Sequence, residues 1–261
     1  AGKTTTVEIL EGYRSRTAGD VKVLGHDPEA RERSFRESIG IVLQETGVEP
    51  FLTVAEVIEQ YRGYYPRPRP LDEIIEVVGL QEKRDSRVSK LSGGQKRRLD
   101  VAVGLAGDPE LLFLDEPTTG FDPSARRNAW DMVKNLQALD KTVLLTTHYM
   151  DEAQQLADRV GIIRSGRIIA EGPPSQLVGE AAAITHIAFV LPPGETLPAA
   201  FEDAVHRGDA VDIPTGQPVA VLNQLTGWAL ERKIELQNLS VTRPTLEDVY
   251  LDLTATDEAG T

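Results

Sequence analysis

Through its first 170 residues this chain alternates short, almost wholly apolar runs with helical patterns. The runs are VKVLG at 21–25, IGIVLQ at 39–44, LLFLD at 111–115, TVLLTTH at 142–148 and RVGIIRSGRII at 159–169. Strands that are apolar on both faces and spaced by helices bury themselves in a mostly parallel sheet covered on both sides. Ser165-Gly166 interrupts the last run as a hairpin turn. Between 53 and 90 the pattern is helical, broken by an extended proline-rich loop from Tyr64 to Pro70.

Pro173-Pro174 and a following alanine run mark a boundary. Beyond it, ITHIAFVLP, DAVDIP and IELQNLSV read as strands and QPVAVLNQLTGWALERK as a helix. Thr245 and Asp248 form a Thr-x-x-Asp cap for a final helix. This predicts a second, small α/β domain of about 75 residues. The net charge is −13, and residues from 180 onward carry 13 acidic against 4 basic side chains. So acidic a chain is a poor holder of a nucleic-acid backbone, which needs Lys and Arg opposite its phosphates. With no cysteine, disulfide frameworks, thiol catalysis and cysteine-based metal sites are excluded. No stretch of 18 residues is apolar enough to span a bilayer.

Four short motifs carry chemistry. Gly2-Lys3-Thr4, running into a helix that Gly12 ends, matches the last part of the phosphate-loop pattern G-x-x-x-x-G-K-[ST]; the same triplet also occurs by chance. LSGGQ at 91–95 opens a helix at Ser92, and its first-turn N–H groups make an anion site that Gly93 and Gly94 leave open to a ligand. Ser-Gly-Gly is equally an ordinary turn, and Lys96-Arg97-Arg98 reads as a solvated face. LLFLDE ends a buried strand in Asp115-Glu116, where alternation along a strand separates the two carboxylates; one can support magnesium, which keeps several waters and needs few protein ligands. Pro117 also fits a plain strand-to-turn ending. His148 and Gln44 close apolar strands at the sheet edge where Asp115 lies, as ligand-facing groups or as ordinary strand ends.

Taken together and in order, Gly2-Lys3-Thr4, Gln44, LSGGQ, LLFLDE, GFDP and His148 resemble the nucleotide-binding subunit of ABC transporters over residues 1 to about 175. The ending TRPTLEDVYLDLT resembles the C-terminal extension of drug-efflux ATPases of the daunorubicin-resistance type. The implied fold is α/β: a P-loop NTPase core of the ABC ATPase kind over 1–175, with a mostly parallel sheet and a helical subdomain, and a small C-terminal α/β domain over 180–255. The implied cofactors are ATP and Mg2+. In this family Gly2, Lys3, Thr4 and Thr5 would cradle the β- and γ-phosphates. Thr4, Gln44 and Asp115 would serve the metal. Glu116 would be the general base and His148 would hold the γ-phosphate. Ser92, Gly93, Gly94 and Gln95 would close over ATP held by a second copy, and Asp122 would cross the same interface.

The resemblance further implies an ATP hydrolase working as a head-to-tail homodimer under an integral membrane permease, at the cytoplasmic face of the membrane. It would export drugs or other hydrophobic compounds and bind no nucleic acid. The permease-facing surface is expected on Glu45 to Tyr65. Two other readings are an ABC-type ATPase without a transport role and a module that binds nucleotide weakly without turnover. The Lys3 to Leu91 spacing of 88 residues leaves no room for the coiled coils of the DNA-repair type. The chain is expected to be N-terminally truncated. Missing about three backbone donors to phosphate, at ~1.5–3 kcal/mol each for a charged acceptor, these residues alone are expected to bind ATP poorly. No adenine-stacking aromatic can be assigned.

Overall fold

The computed structural model describes residues 2–42, 47–179 and 184–255. The chain divides into two compact units, residues 1–156 with 163–169, and residues 157–162 with 170–261.

The first unit is built on a three-stranded parallel sheet in the order β1-β2-β3, from β1 (Ile39–Val42), β2 (Leu111–Asp115) and β3 (Thr142–Thr146). Strand β2 explains the layering. Leu111 and Phe113 face one core with Val7, Val23, Phe35 and Ile39, while Leu112 and Leu114 face another with Leu99, Leu105 and Leu136. All four are buried, so the strand is apolar on both faces, and each such side chain contributes roughly 1.5–3 kcal/mol by leaving water. Helices α1 (Lys3–Leu10) and α2 (Arg33–Ser38) serve the first core. Helices α3 (Val54–Arg62), α4 (Leu71–Val77), α5 (Gly93–Leu105), α6 (Pro123–Gln137) and α7 (Met150–Leu156) serve the second. A reciprocal capping box between Thr53 and Glu56 starts α3. Gly12 ends α1 at φ 79°, where a Cβ would stand 2.6 Å from the carbonyl oxygen of Pro28, so only glycine fits.

One expected strand does not form. In VKVLG only Val23 pairs, with His26, across a two-residue turn in which Leu24 and Gly25 both take positive φ. Leu24 and Gly25 make this tight turn, so the run folds back on itself before it can reach a sheet edge. Strands β4 (Val160–Arg164) and β5 (Arg167–Gly172) flank Ser165 and Gly166, both at positive φ as a two-residue hairpin turn requires.

The second unit contains α8 (Pro174–Val178), β6 (Thr185–Val190), β7 (Val205–Arg207), β8 (Ala210–Thr215), α9 (Pro218–Arg232), β9 (Gln237–Thr242) and α10 (Leu246–Ala255). Its sheet is antiparallel in the order β7-β8-β6-β9. Ile187, Phe189, Val211 and Ile213 alternate inward and pack with Leu225 of α9. Thr245 and Asp248 bond reciprocally at the start of α10, as their spacing predicts. Among the described residues no helix is long and apolar enough to cross a membrane.

Candidate functional site

The start of α1 is built to receive an anion. Gly2 takes the left-handed conformation at φ 101°, and no side chain caps the helix. The first bond inside the helix runs from Thr6 N to Gly2 O at 3.0 Å, so the N–H groups of Lys3, Thr4 and Thr5 have no partner within it and sit at the positive end of the helix dipole. Thr4 and Thr5 are exposed there. The Lys3 ammonium reaches across to the sheet edge, donates to Thr147 O at 2.8 Å and stands 3.9 Å from Glu116 Oε1.

That sheet edge is organised by threonines. Strands β2 and β3 pair Asp115 with Thr146. The Thr146 hydroxyl donates a short hydrogen bond to Asp115 Oδ1 and accepts one from Glu116 N at 3.1 Å. Glu116 lies one residue past β2 at φ 44°. The two carboxylates are therefore separated by a left-handed turn, where strand alternation alone was expected to separate them. Thr119 Oγ1 donates to Glu116 Oε2 at 3.0 Å, and His148 Nδ1 lies 3.3 Å from Glu116 Oε1. Partial burial works against ionising Glu116. The Thr119 hydrogen bond, with His148 and the Lys3 charge beside it, outweighs it and holds the carboxyl below its usual value. Glu11, the cap residue at the far end of α1, behaves oppositely: burial first, then the nearby charges of Asp115 and Glu8, push it up to about 7.

The structure thus brings together Lys3, Asp115, Glu116 and His148 of the expected site. Ser92 and Gln95 instead cap α5 reciprocally, each backbone N–H bonded to the other's side chain at 2.9 and 3.3 Å. Asp122 caps α6 through Ser124 N and Ala125 N. Among the described residues no hydrogen bond or ion pair joins Ser92, Gly93, Gly94, Gln95 or Asp122 to Lys3, Glu116 or His148. A Cβ built on Gly93 or Gly94 would meet nothing within 4 Å. Gln44 lies outside the described residues.

The basic triplet after LSGGQ is not a solvated face. Lys96 is exposed, but Arg97 is buried and donates to Asp115 O at 2.9 Å, and Arg98 bonds the carbonyls of Val78 and Gly79. Sequence reasoning also missed Thr119, Thr146 and Thr147. Their only signal was that polar residues follow two apolar strands at the edge where the carboxylates stand.

Comparison with known proteins gives the family. The profile of the family described as ABC transporter matches residues 1–119. A profile described as the C-terminal domain of ABC transporter domain-containing-like proteins matches residues 185–245. The chain is 39% identical over 263 residues to the Nod factor export ATP-binding protein I of Rhizobium sp., covering 97% of this chain and 84% of that protein. It is 36% identical over 269 residues to the daunorubicin resistance ATP-binding protein DrrA3 of Streptomyces coeruleorubidus, covering 98% and 85%. Two solved structures share the fold. A dimeric ATP-binding cassette in a post-hydrolysis state bound to ADP and Pi matches at 24% identity and TM-score 0.56, covering 66% of this chain and 80% of that one. An ATP-binding subunit of an ABC transporter matches at 22% and 0.58, covering 68% and 76%. With relatives at this identity spanning nearly its whole length, the chain belongs to the family of ABC transporter ATP-binding proteins.

Proposed function

We propose that the protein hydrolyses ATP to drive an exporter of drugs or other hydrophobic compounds, as a head-to-tail homodimer held by a permease at the cytoplasmic face of the membrane. The observation that carries the hydrolytic reading is the convergence of Lys3 and His148 on one oxygen of Glu116, at 3.9 and 3.3 Å. Lys3 and the free N–H groups of Gly2 to Thr5 bind the terminal phosphates. Glu116, kept ionised, takes a proton from the water whose oxygen bonds to the γ-phosphorus as the bridging P–O bond breaks. His148, already at hydrogen-bond range of that carboxylate, is placed to bond a γ-phosphate oxygen.

The oxygen donors at hand fit magnesium. Thr4 offers a hydroxyl and Asp115 a carboxylate, and among the described residues no cluster of three or more His, Cys, Asp or Glu makes an all-protein cage. A site with few protein ligands suits an ion that keeps its waters and shares phosphate oxygens. The ion's contribution is to neutralise phosphate charge.

The dimer is supported by the open space above Gly93 and Gly94. Ser92, Gly93, Gly94, Gln95 and Asp122 then act on nucleotide bound by the partner copy. Export rests on the relatives named for Nod factor export and daunorubicin resistance. Residues 45–65 form the permease-facing surface. There Tyr61 and Tyr65 line a cleft of about 480 Å³ with Arg31 and Arg36. Residues 1–175 make the ATPase domain, in which Gln44 would serve the metal, and 180–255 an accessory domain. The test is ATPase turnover of the protein expressed from its complete gene. Glu116→Gln is expected to lower it on the order of a hundredfold or more, the size of general acid–base catalysis, with ATP binding retained. Unchanged turnover would refute the assignment of the base.

A further inference from the structure

Next to the site described above lies a stack of three side chains from two different elements. The His148 and Tyr149 rings have centroids 4.1 Å apart, tilted by 39°. On the tyrosine sits the Arg126 guanidinium, 4.0 Å from the ring centroid. Arg126 belongs to α6, one turn after Asp122, and its backbone N–H bonds Asp122 O at 2.9 Å. It also reaches Asp151 Oδ2 at 3.4 Å, at the start of α7. Its Nε is buried without a hydrogen-bond partner, so the aromatic face is a principal contact of that cation in place of a full set of acceptors.

His148 needs such support. Its side chain is 46% exposed, and its Nδ1 stands 3.3 Å from Glu116 Oε1 without the alignment of a good hydrogen bond. An imidazole held at one edge can turn about its last torsion, which is broad for histidine. A ring stacked on its face removes that freedom. The tyrosine is itself fixed from both sides, by Arg126 and by its backbone, where Tyr149 N bonds Thr147 Oγ1 at 2.9 Å.

We propose that Tyr149 and Arg126 are positioning residues for His148: the stacked guanidinium and phenol ring hold the imidazole against Glu116 and tie its orientation to the Asp122 end of α6. This rests on the proposed function, in which His148 meets the γ-phosphate and Asp122 meets the partner subunit. Occupation of the partner face would then be felt at His148 through one helical turn and one aromatic ring.

The experiment compares Tyr149→Leu, Tyr149→Phe, Arg126→Ala and Arg126→Lys in the protein expressed from its complete gene, with His148→Ala as reference. Misplacing a catalytic group costs on the order of tenfold to a hundredfold in rate. Tyr149→Leu and Arg126→Ala are therefore expected to lower kcat by about tenfold, with KM for ATP within about twofold. Tyr149→Phe, which keeps the ring, and Arg126→Lys, which keeps the cation, are expected to retain most of the turnover. Tyr149→Leu added to His148→Ala is expected to cost nothing more. Full turnover in Tyr149→Leu, equal losses in the Phe and Leu variants, or a further loss on top of His148→Ala would each overturn the proposal. NMR of the His148 ring protons provides a readout free of turnover. The Tyr149 ring current shifts them in the unmodified protein and in Tyr149→Phe, and the shift is expected to vanish in Tyr149→Leu. No shift in the unmodified protein means there is no stack. If His148→Ala leaves turnover intact while the ring-current shift is present, the catalytic reading fails and the stack stands.

Discussion

Two helices of this protein begin at sites with opposite habits. Helix α5 satisfies its own first turn, with Ser92 and Gln95 closing a reciprocal box. Helix α1 does not: Gly2 offers no side-chain cap, and the free N–H groups face outward beside a lysine. Capping groups compete with a ligand for the same donors. An uncapped end therefore exposes its donors to an incoming phosphate within its own unit. A capped end with bare glycines offers a smooth surface to something arriving from outside. Under the proposed function, these two glycine-bearing helix starts meet different partners.

The contrast can be broken first at α1. Under the proposed function, Lys3→Ala is expected to reduce turnover on the order of 10²–10³-fold, the cost of removing one preorganised charge stabiliser. Weak nucleotide binding by titration is expected to accompany the loss. Unaltered binding would mean that α1 receives no phosphate. At α5 the expected signs diverge. Gly93→Ala adds a methyl group into open space and improves helix propensity by up to about 1 kcal/mol, so Tm is expected to rise while turnover falls. A rise in both would remove the case for an external ligand there. Ser92→Ala removes a cap contributing about 1 kcal/mol, or roughly 2–4 °C in Tm for a chain of this size. A melting curve identical to that of the unmodified protein would show that the box does not stabilise α5.

A last expected effect, confined to one pH range, concerns the opposite end of α1. Glu11 is raised from 4.5 to about 7, so the fold favours its neutral form. The stability this gives is fully present below about pH 4.5 and is lost as pH rises through 7. Glu11→Gln is therefore expected to leave Tm unchanged at pH 4 and to stabilise by about 1–2 kcal/mol at pH 8.5. Equal shifts at both pH values would show that Glu11 stays ionised in the fold.

Much of the fold was legible because β1, β2 and β3 are apolar runs, and β2 buries both of its faces, a pattern with few alternatives. The failures have local causes. The VKVLG run contains the two turn residues Leu24 and Gly25, and apolar flanks disguise them. Strand β7 is three exposed residues, His206 among them, too short to show alternation. Strand β9 begins at Gln237 rather than Ile234, because Lys233 takes φ 56° to end α9 and Asn238 takes φ 54° at a pairing irregularity with β6. At the site, Lys3, Asp115, Glu116 and His148 stood out as charged groups at strand and helix ends. The threonines did not, since Thr146 and Thr147 are ordinary strand residues by propensity. Arg97 looked solvated until its acceptor, a backbone carbonyl absent from any side-chain pattern, was located.

The hydroxyl of Thr146 serves both acidic residues at once, donating a hydrogen bond to the Asp115 carboxylate and accepting one from the Glu116 backbone N–H. Valine has the same shape and suits the strand equally well. A library sorted only for folded protein would therefore admit Thr146→Val at reduced frequency, because the shape is kept while Asp115 Oδ1 loses a partner. Under the proposed function, one sorted for growth under a toxic load would discard it altogether, and the difference between the two survivor lists would mark this position as serving the chemistry although it contacts no reactant.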